Sequence, residues 1–304
     1  MIEIDRSVST RIDAQRCIGC GLCLRVCPSE TLTILDGKAV AAGTQSLACG
    51  HCAAVCPEAA VSVEALDPEL ARFATFTADD RWLAPGKSDL PQLARLMASR
   101  RSCRNFTEAP VSPDQLEDLV KIGITAPSGS NCQPWTFTLL PSRKSVLSLA
   151  REVAGFFHRL NRQAERSWLR FLLRMAGRPQ LDFYFHNYHD AVAENLRMWE
   201  QTGRDRLFHG APAAIVVASR PASCPVEDCL LATGQILLAA HAMGLGTCLI
   251  GFAVSALQHD RGIARRLRLD DDETVRAVIA LGHPEECYRR PAGRRPVTVR
   301  HYNP

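Results

Sequence analysis

The sequence predicts an α+β fold in which a small, cysteine-rich module precedes a larger body. Seven of the thirteen cysteines lie within residues 17–56, and the other six are scattered singly. Residues 89–304 alternate helix-like and strand-like patterns, without a glycine-rich phosphate loop or the G-x-G-x-x-G turn of a dinucleotide-binding domain. Since 304 residues allow two domains, we predict a domain at 1–66, a linker at 67–88 and a body at 89–304.

The composition argues against several classes of protein. A net charge of +4 is too small to indicate nucleic-acid binding. The N-terminus has no apolar signal core, and the apolar window Cys229–Phe252 is interrupted by Gly244 and Gly246. We therefore expect a cytoplasmic protein that binds neither nucleic acid nor a membrane. In that compartment the cysteines are expected to be reduced thiols or metal ligands.

The first cysteine run reads Cys17-Ile-Gly-Cys20-Gly-Leu-Cys23-Leu-Arg-Val-Cys27-Pro28. Three cysteines at this spacing bind one face of a cubane iron–sulfur cluster, and the cysteine before proline points to a second cluster. A zinc ribbon is the alternative, but zinc takes four ligands and has no use for the third cysteine or the trailing Cys-Pro. The run therefore favours iron–sulfur chemistry.

The second run lacks one member. Cys49, Cys52 and Cys56 form C-x2-C-x3-C-P, and Ser46 stands where a fourth cysteine would complete the run. A hydroxyl is a harder and less acidic ligand than a thiol. A serine alkoxide on iron, a cubane with one iron bound by water, a three-iron cluster and loss of the cluster all remain open. Because Cys27, Cys49 and Cys52 are present, we expect two clusters with different potentials.

Residues 10–66 resemble bacterial two-cluster ferredoxins, with short strands near 31–35 and 60–63. The resemblance implies a first, [4Fe-4S] cluster and a second cluster that is [4Fe-4S] or [3Fe-4S]. The implied ligands of the first cluster are Cys17, Cys20, Cys23 and Cys56. Those of the second are Cys27, Cys49, Cys52 and Ser46.

The body reads as separate helices and strands that assemble one sheet. Ser112-Pro113-Asp114-Gln115 has the pattern of a helix capping box. Helices are predicted at 89–101, 112–126, 189–202, 226–243 and 255–268. Strands are predicted at 135–140, 213–219, 247–251 and 275–281.

Four short motifs of the body suit a flat, anionic ligand, although each also has a purely structural explanation. The segment SRRSCRNF carries Arg100, Arg101, Ser102 and Arg104, whose guanidiniums suit a phosphate. A solvated basic helix end is the alternative. The segment APSGSNCQPWTF offers the amides of Asn131 and Gln133, which suit a heterocyclic ring but also a polar turn.

The other two motifs lie later in the chain. The segment GLGTCLIGF, residues 244–252, contains glycines that allow close backbone approach to a ligand or simply end a helix. The late pair Arg294 and Arg295 suits a phosphate, or it belongs to a solvated loop.

In this order the four motifs resemble the nitroreductase family of FMN-dependent oxidoreductases, over essentially all of 89–304. The resemblance implies an α+β homodimer with two flavins at the subunit interface. Arg100, Arg101, Ser102 and Arg104, with Arg294 or Arg295, would hold the phosphate and ribityl chain. Asn131 and Gln133 would meet the ring. Leu249, Ile250 and Gly251 would approach it from the partner subunit.

Joining clusters to a flavin in one chain predicts an internal electron relay. Clusters pass single electrons, and FMN delivers a pair as a hydride from N5, so no catalytic side chain is assigned. The expected donor is reduced ferredoxin or a similar carrier, or else NAD(P)H. The expected acceptor is a nitroaromatic, a quinone or an activated double bond. A non-enzymatic electron carrier or redox sensor is the alternative function.

Residues 152–190 form an insertion rich in arginine and aromatic residues. We expect either a lid over the substrate pocket or a helical arm that packs against the partner or the front module. The candidate lining residues of such a lid are Phe183, Tyr184, Phe185 and Tyr188.

Overall fold

The computed structural model describes residues 5–79 and 81–303. Residues 1–4 of the predicted first domain, Asp80 of the predicted linker and Pro304 lie outside the described residues. The elements are β1 (Thr10–Ile12), α1 (Leu22–Arg25), β2 (Leu32–Leu35), β3 (Lys38–Ala41), α2 (His51–Ala54), β4 (Val61–Val63), α3 (Leu90–Ser99), α4 (Pro113–Gly123), β5 (Trp135–Leu140), α5 (Arg143–Ala164), α6 (Ser167–Met175), α7 (Gln180–Asn187), α8 (His189–Thr202), β6 (Ala213–Ser219), α9 (Pro225–Ala242), β7 (Gly246–Leu249), α10 (Gly251–His259), α11 (Arg261–Arg266) and β8 (Thr274–Gly282).

The front module consists of two antiparallel strand pairs, β1 with β4 and β2 with β3. The two predicted strands are confirmed as β2 and β4. Each short helix, α1 and α2, begins within a cysteine run after a left-handed glycine, Gly21 or Gly50. Gly19 also has a positive φ, and a side-chain carbon there would lie 2.1 Å from the Gly37 carbonyl oxygen. The first cysteine run therefore requires glycine at this position to reach the β2–β3 turn.

The body is built on a four-stranded antiparallel sheet with the order β5-β6-β8-β7. All four predicted strands are confirmed. Every residue of β6 is buried, because helices cover both faces of the sheet. Alternate β6 side chains enter two separate cores, with Val216 on one face and Ile215 on the other. The sheet therefore has two edges, β5 and β7, on opposite sides of the body.

Helices α5, α8, α10 and α11 cover the Val216 face, and α4 and α9 cover the Ile215 face. The predicted capping box is confirmed, since Ser112 and Gln115 bond reciprocally at the start of α4. The helix predicted at 255–268 is instead two helices. Asp260 leaves the helical conformation (φ −125°, ψ 95°), and its carboxylate accepts a hydrogen bond from the Gly262 amide to start α11. Among the helices of the described residues, none has the length and apolarity needed to cross a bilayer.

The insertion at 152–190 continues α5 and then forms the α6–α7 pair. Its beginning packs on the sheet, since Val153 and Phe157 of α5 are buried in the core. Tyr184 of α7 packs against the same core, and its hydroxyl donates to the Asn161 side-chain oxygen at 2.6 Å. Burial raises the pKa of Tyr184 to about 12. Phe183 and Tyr188, in contrast, are largely exposed.

The segment predicted as a linker is hydrogen-bonded to α4. The buried carboxylate of Asp118 accepts from the Ala74 amide, and from both the amide and the hydroxyl of Thr75, at 2.6–3.1 Å. Lys121 donates to the carbonyl of Arg72 at 2.7 Å. Burial alone would raise the pKa of Asp118, but these hydrogen bonds outweigh burial and the pKa is lowered. A charged carboxylate in α4 therefore ties the segment to the body.

We predict that Asp118→Asn releases this segment. The amide has lost the charge that strengthens three hydrogen bonds, so the free energy of unfolding should fall by about 1–3 kcal/mol. Chemical denaturation at neutral pH measures the change, and limited proteolysis between residues 67 and 79 should become faster. Glu117→Gln, which removes an exposed carboxylate one residue earlier, is the control. Equal proteolysis of the two variants would contradict the anchor.

Candidate functional site

The cysteines assigned to the first cluster line one cavity. Ile18 and Leu22 of the first run also line it, together with Ala39 of β3 and Val61 of β4. The four cysteines that line it are Cys17, Cys20, Cys23 and Cys56. Three come from the first run and one from the second, which is the exchange that the sequence predicted.

The residues assigned to the second cluster line a separate cavity. They are Cys27, Cys49, Cys52 and Ser46. Ser46 is buried, and its hydroxyl oxygen accepts a hydrogen bond from the Ala48 amide at 3.0 Å. This bond favours negative charge on that oxygen. The structure thus brings the serine to the place of the missing cysteine.

Backbone amides surround the sulfur atoms, as a charged cluster requires. Amides of Ala39, Thr31 and Ala60 donate to the sulfurs of Cys17, Cys27 and Cys56 at 3.3–3.4 Å. The Ala39 bond is the main reason that the pKa of Cys17 is lowered. Burial raises the pKa of Cys23 and of Cys52, and bound iron would deprotonate both thiols. In residues 5–79 and 81–303, no three His, Cys, Asp or Glu side chains form a group for a single metal ion. A cluster instead takes one ligand on each iron.

Arg100, Arg101 and Arg104, which we call the arginine group, lie beside the edge strand β7. Ser102 forms a parallel bridge with Thr247, and the Cys103 amide donates to the Thr247 carbonyl at 2.9 Å. Among the described residues, no carboxylate pairs with any of the three guanidiniums. Three unpaired cations in one short segment suit a phosphate.

Two further basic residues, Arg206 and His209, lie close to the arginine group and were missed from the sequence. Burial lowers the pKa of His209, Asp205 opposes this, and the positive charges of Arg104 and Arg206 lower it further. Burial also raises the pKa of the Cys248 thiol, whereas the positive charges of Arg104 and Arg100 act to lower it. The only sequence signal was the basic run RDRLFHG before β6, which has the composition of a loop.

The amide loop, residues 128–133, lies at the other edge strand, β5. Ser130, Asn131 and Gln133 all have positive φ angles of 45–55°, a conformation that is costly for residues other than glycine. The loop is held by Asp228, whose buried carboxylate accepts from the Gly129 amide at 2.9 Å. The buried Asp228 carboxylate thus helps to hold the loop in this conformation.

The front module docks on the amide loop. The side-chain amide of Asn131 donates to the carbonyls of Leu47 and Ala48 at 3.0 and 3.2 Å, and we call this contact the junction. Gln133 in turn donates to the Asn131 side-chain oxygen at 3.2 Å. A cavity lies between the two domains, and Ser46, Asn131 and Gln133 all line it. No pattern in the sequence predicted this contact.

The glycines of the GLGTCLIGF segment, residues 244–252, have structural roles, and the segment borders the arginine group. Gly244 has a φ of 79° and ends α9. Gly246 makes room for Cys103, since a side-chain carbon there would lie 2.7 Å from the Cys103 Cβ. Leu249 and Gly251 are exposed at the end of β7, whereas the Ile250 side chain is buried in the core. The Ile250 amide is also used within the protein, since it donates to the Val278 carbonyl at 2.8 Å.

The predicted binding residues of one chain do not converge. Thr247, beside Ser102, lies level with the Leu140 end of β5, whereas the amide loop precedes Trp135 at the opposite end. The arginine group, on the outer side of β7, and the amide loop at β5 are four strand spacings apart, which is about 19 Å across the sheet, and about 20 Å apart along it. The resemblance implies that Leu249–Gly251 approach from the partner subunit. The Ser102–Thr247 bridge places the end of β7 beside the arginine group of the same chain.

Arg294 and Arg295 lie in an exposed C-terminal segment without helix or strand. The guanidinium of Arg294 donates to the carbonyls of Ala292 and Gly293, both at 3.3 Å. The segment starts beside the arginine group, since the Glu285 amide donates to the Asn105 carbonyl at 3.1 Å. Contact of Arg294 or Arg295 with a phosphate stays a prediction.

A small apolar cavity lies under the helices that carry the insertion, and Arg206 is among its lining residues. Three aromatic side chains line it: Phe157 of α5, Trp199 of α8 and Phe252 of α10. Arg206 lies at its polar side. Phe252 directly follows Leu249–Gly251 and contacts Tyr188 edge-to-face, with ring centroids 6.2 Å apart. The insertion therefore shapes the surroundings of one predicted binding segment.

Comparison with known proteins identifies a family for the body and another for the front module. A model described as Nitroreductase family matches residues 97–283, and one described as 4Fe-4S dicluster domain matches residues 9–57. The chain is 26% identical to "Oxygen-insensitive NADPH nitroreductase" of Helicobacter acinonychis, over 62% of this chain and 85% of that protein. It is 27% identical to "4-nitrobenzoate reductase" of Pseudomonas putida, over 63% and 85%.

The fold also matches solved structures. The crystal structure of a nitroreductase with bound FMN from Bacteroides fragilis superposes with a TM-score of 0.50 and 18% identity. The match covers 70% of this chain and 99% of that one. At this identity it establishes the fold of the body.

We predict that Ser46→Cys changes the second cluster and leaves the first unchanged. A thiolate replaces a hydroxyl at one ligand position, so the electron paramagnetic resonance signal and potential of the second cluster should shift. The measurement uses anaerobically purified protein, with iron and acid-labile sulfide determined in parallel. Ser29→Ala, in the same cavity but outside the ligand position, is the control. Iron sufficient for only one cluster in the wild type would refute the two-cluster assignment.

Proposed function

The chain belongs to the nitroreductase family, with a 4Fe-4S dicluster domain in front, and we propose that it is an FMN-dependent oxidoreductase whose clusters supply the electrons. The acceptor is a small organic molecule such as a nitroaromatic, a quinone or an activated double bond. The observation that carries the proposal is the junction, where Asn131 of the flavin motif holds the loop of Ser46. A carrier without an acceptor site would not need the cavity beside Phe252.

The arginine group is the part of the chain that fits the phosphate of FMN. Its three guanidiniums lack carboxylate partners among the described residues, and Arg206 and His209 add donors nearby. Guanidiniums bind phosphate oxygens in pairs, and they do so most strongly where they are partly shielded from water. Arg100, Arg101 and Ser102 are half-buried, which meets that condition.

A complete flavin site requires two copies of the chain. The arginine group and the amide loop of one chain are farther apart than an extended FMN reaches. A second copy brings its own amide loop to the arginine group of the first, so two equivalent sites form about a two-fold axis. Exposed apolar side chains of α9, Leu230 and Leu231, support such an association.

FMN supplies the redox chemistry, because it accepts single electrons and passes on two as a hydride. The residues of the chain position and shield it. The arginine group neutralises the phosphate, and the exposed end of β7 places backbone groups of Leu249 and Gly251 near that site. The apolar cavity lined by Phe157, Trp199 and Phe252 suits the ring of an aromatic acceptor, and Arg206 suits its nitro or carboxyl group.

We propose that the clusters are loaded by a low-potential one-electron donor of the ferredoxin type. A chain that received hydride from NAD(P)H directly at the flavin would not need a docked iron–sulfur module. The acidic front module, with five Lys or Arg against eight Asp or Glu in residues 1–68, contrasts with the basic body. The clusters themselves are proposed as one [4Fe-4S] and one [4Fe-4S] or [3Fe-4S].

We predict that Arg100→Ala and Arg104→Ala each weaken FMN binding about tenfold or more. Each removes a charge-assisted contact of about 1.5–3 kcal/mol, and 1.4 kcal/mol corresponds to a factor of ten. Fluorescence titration of the flavin-free protein measures the dissociation constant. Arg95→Ala, an exposed arginine of the preceding helix, is the control. A dissociation constant that is unchanged in both variants would remove the phosphate assignment.

We predict that reduced ferredoxin supports faster turnover of 4-nitrobenzoate than NADH or NADPH does. Single electrons enter through the clusters, and Cys49→Ala should abolish most of this turnover while FMN remains bound. The initial rate of acceptor loss, measured anaerobically with each donor, gives the comparison. Equal rates with NADPH alone, unaffected by Cys49→Ala, would show that the clusters do not supply the electrons.

A further inference from the structure

We infer that the iron–sulfur module of each chain serves the flavin whose phosphate is held by the other chain, and that the second cluster is the one beside it. The inference rests on the proposed function and goes beyond it, because it assigns the electron path to specific subunits. Leu47, Ala48 and Asn131 are positioning residues in this account.

The second-cluster cavity adjoins the cavity between the domains. Ser46, Leu47 and Ala48 line both of them. The carbonyls of Leu47 and Ala48 hold the amide of Asn131. One three-residue segment therefore separates the second cluster from the amide loop.

None of the four predicted ligands of the first cluster lines the interdomain cavity, as far as the described residues show. Cys20 is the exposed member of this set. The first cluster is thus placed to take electrons from outside, and the second to pass them towards the amide loop.

The two flavin-binding groups are separated within one chain. The amide loop precedes one edge strand, β5, and the arginine group adjoins the other, β7, at the opposite end of the sheet. The flavin ring that reaches Asn131 therefore has its phosphate on the arginine group of a second copy. Because the front module is docked on the amide loop of its own chain, it faces that second copy's flavin.

The electron balance is simple. Each transfer oxidises one reduced cluster by one electron. Two transfers and two protons from water reduce one FMN by a pair of electrons, and an external ferredoxin then restores the clusters.

Mixed dimers test this path. One lesion, Arg100→Ala with Arg104→Ala, removes the phosphate site. The other, Cys27→Ala with Cys49→Ala, removes the second cluster. In the opposed dimer each chain carries one lesion. In the matched control both lesions lie on one chain and its partner is wild type. Two affinity tags isolate each mixed dimer, and each should hold about one FMN.

The flavin of the opposed dimer sits on the chain with the cluster lesion and faces the intact module of the other chain. Reduced ferredoxin should therefore bleach it at least about tenfold faster than the flavin of the control dimer. The reverse order would show that each module serves its own chain's flavin. Equal rates would show that the junction does not direct electrons. Either result overturns the inference while leaving FMN binding, and the proposed function, intact.

A second readout does not depend on turnover. Asn131→Ala should increase hydrogen exchange of the amides of residues 46–50 in the purified holoprotein, because the junction is lost. Asn187→Ala, which removes an exposed amide of α7, should leave that exchange unchanged. If Asn131→Ala also leaves it unchanged, the module is not held by this contact and the inference fails.

Discussion

The two hydrogen bonds from Asn131 to the carbonyls of Leu47 and Ala48 are the contact on which the functional arrangement depends. They join two domains that each have a core of their own. Both sides of the contact are strained, since Ala48 and Asn131 have positive φ angles. The junction therefore defines where the front module meets the amide loop.

The antiparallel sheet imposes the second constraint. Its two edge strands are the places where loops and bridging segments meet the body, and they lie on opposite sides. The amide loop and the arginine group are therefore separated within one chain by the same strands that form the core. A ligand that needs both groups would require two copies, so the proposed dimer rests on the order of the strands in the sheet as well as on exposed apolar side chains.

The cysteine spacing predicted the iron–sulfur module because cluster ligation is local: short runs with fixed gaps determine which sulfurs meet. Trp135–Leu140 and the capping box at Ser112 were also predictable, since alternation and capping act over a few residues. The junction could not be predicted, because it joins residues more than 80 positions apart in the sequence. The placement of Leu249–Gly251 could not be predicted either, because it depends on the Ser102–Thr247 bridge and on the order of the strands. His209 was missed because Arg104, one of its two basic neighbours, comes from a distant segment.

The central claim, that one chain's clusters face the flavin of the other, is tested most directly by a crystal structure of the anaerobic, FMN-loaded protein. Anomalous scattering locates the iron atoms. The account predicts a flavin ring at Asn131 of one copy with its phosphate at Arg100 and Arg104 of the other, and the Ser46 cluster nearer to the ring than the Cys20 cluster. A flavin bound by the arginine group and amide loop of a single copy, or a nearer first cluster, would contradict it.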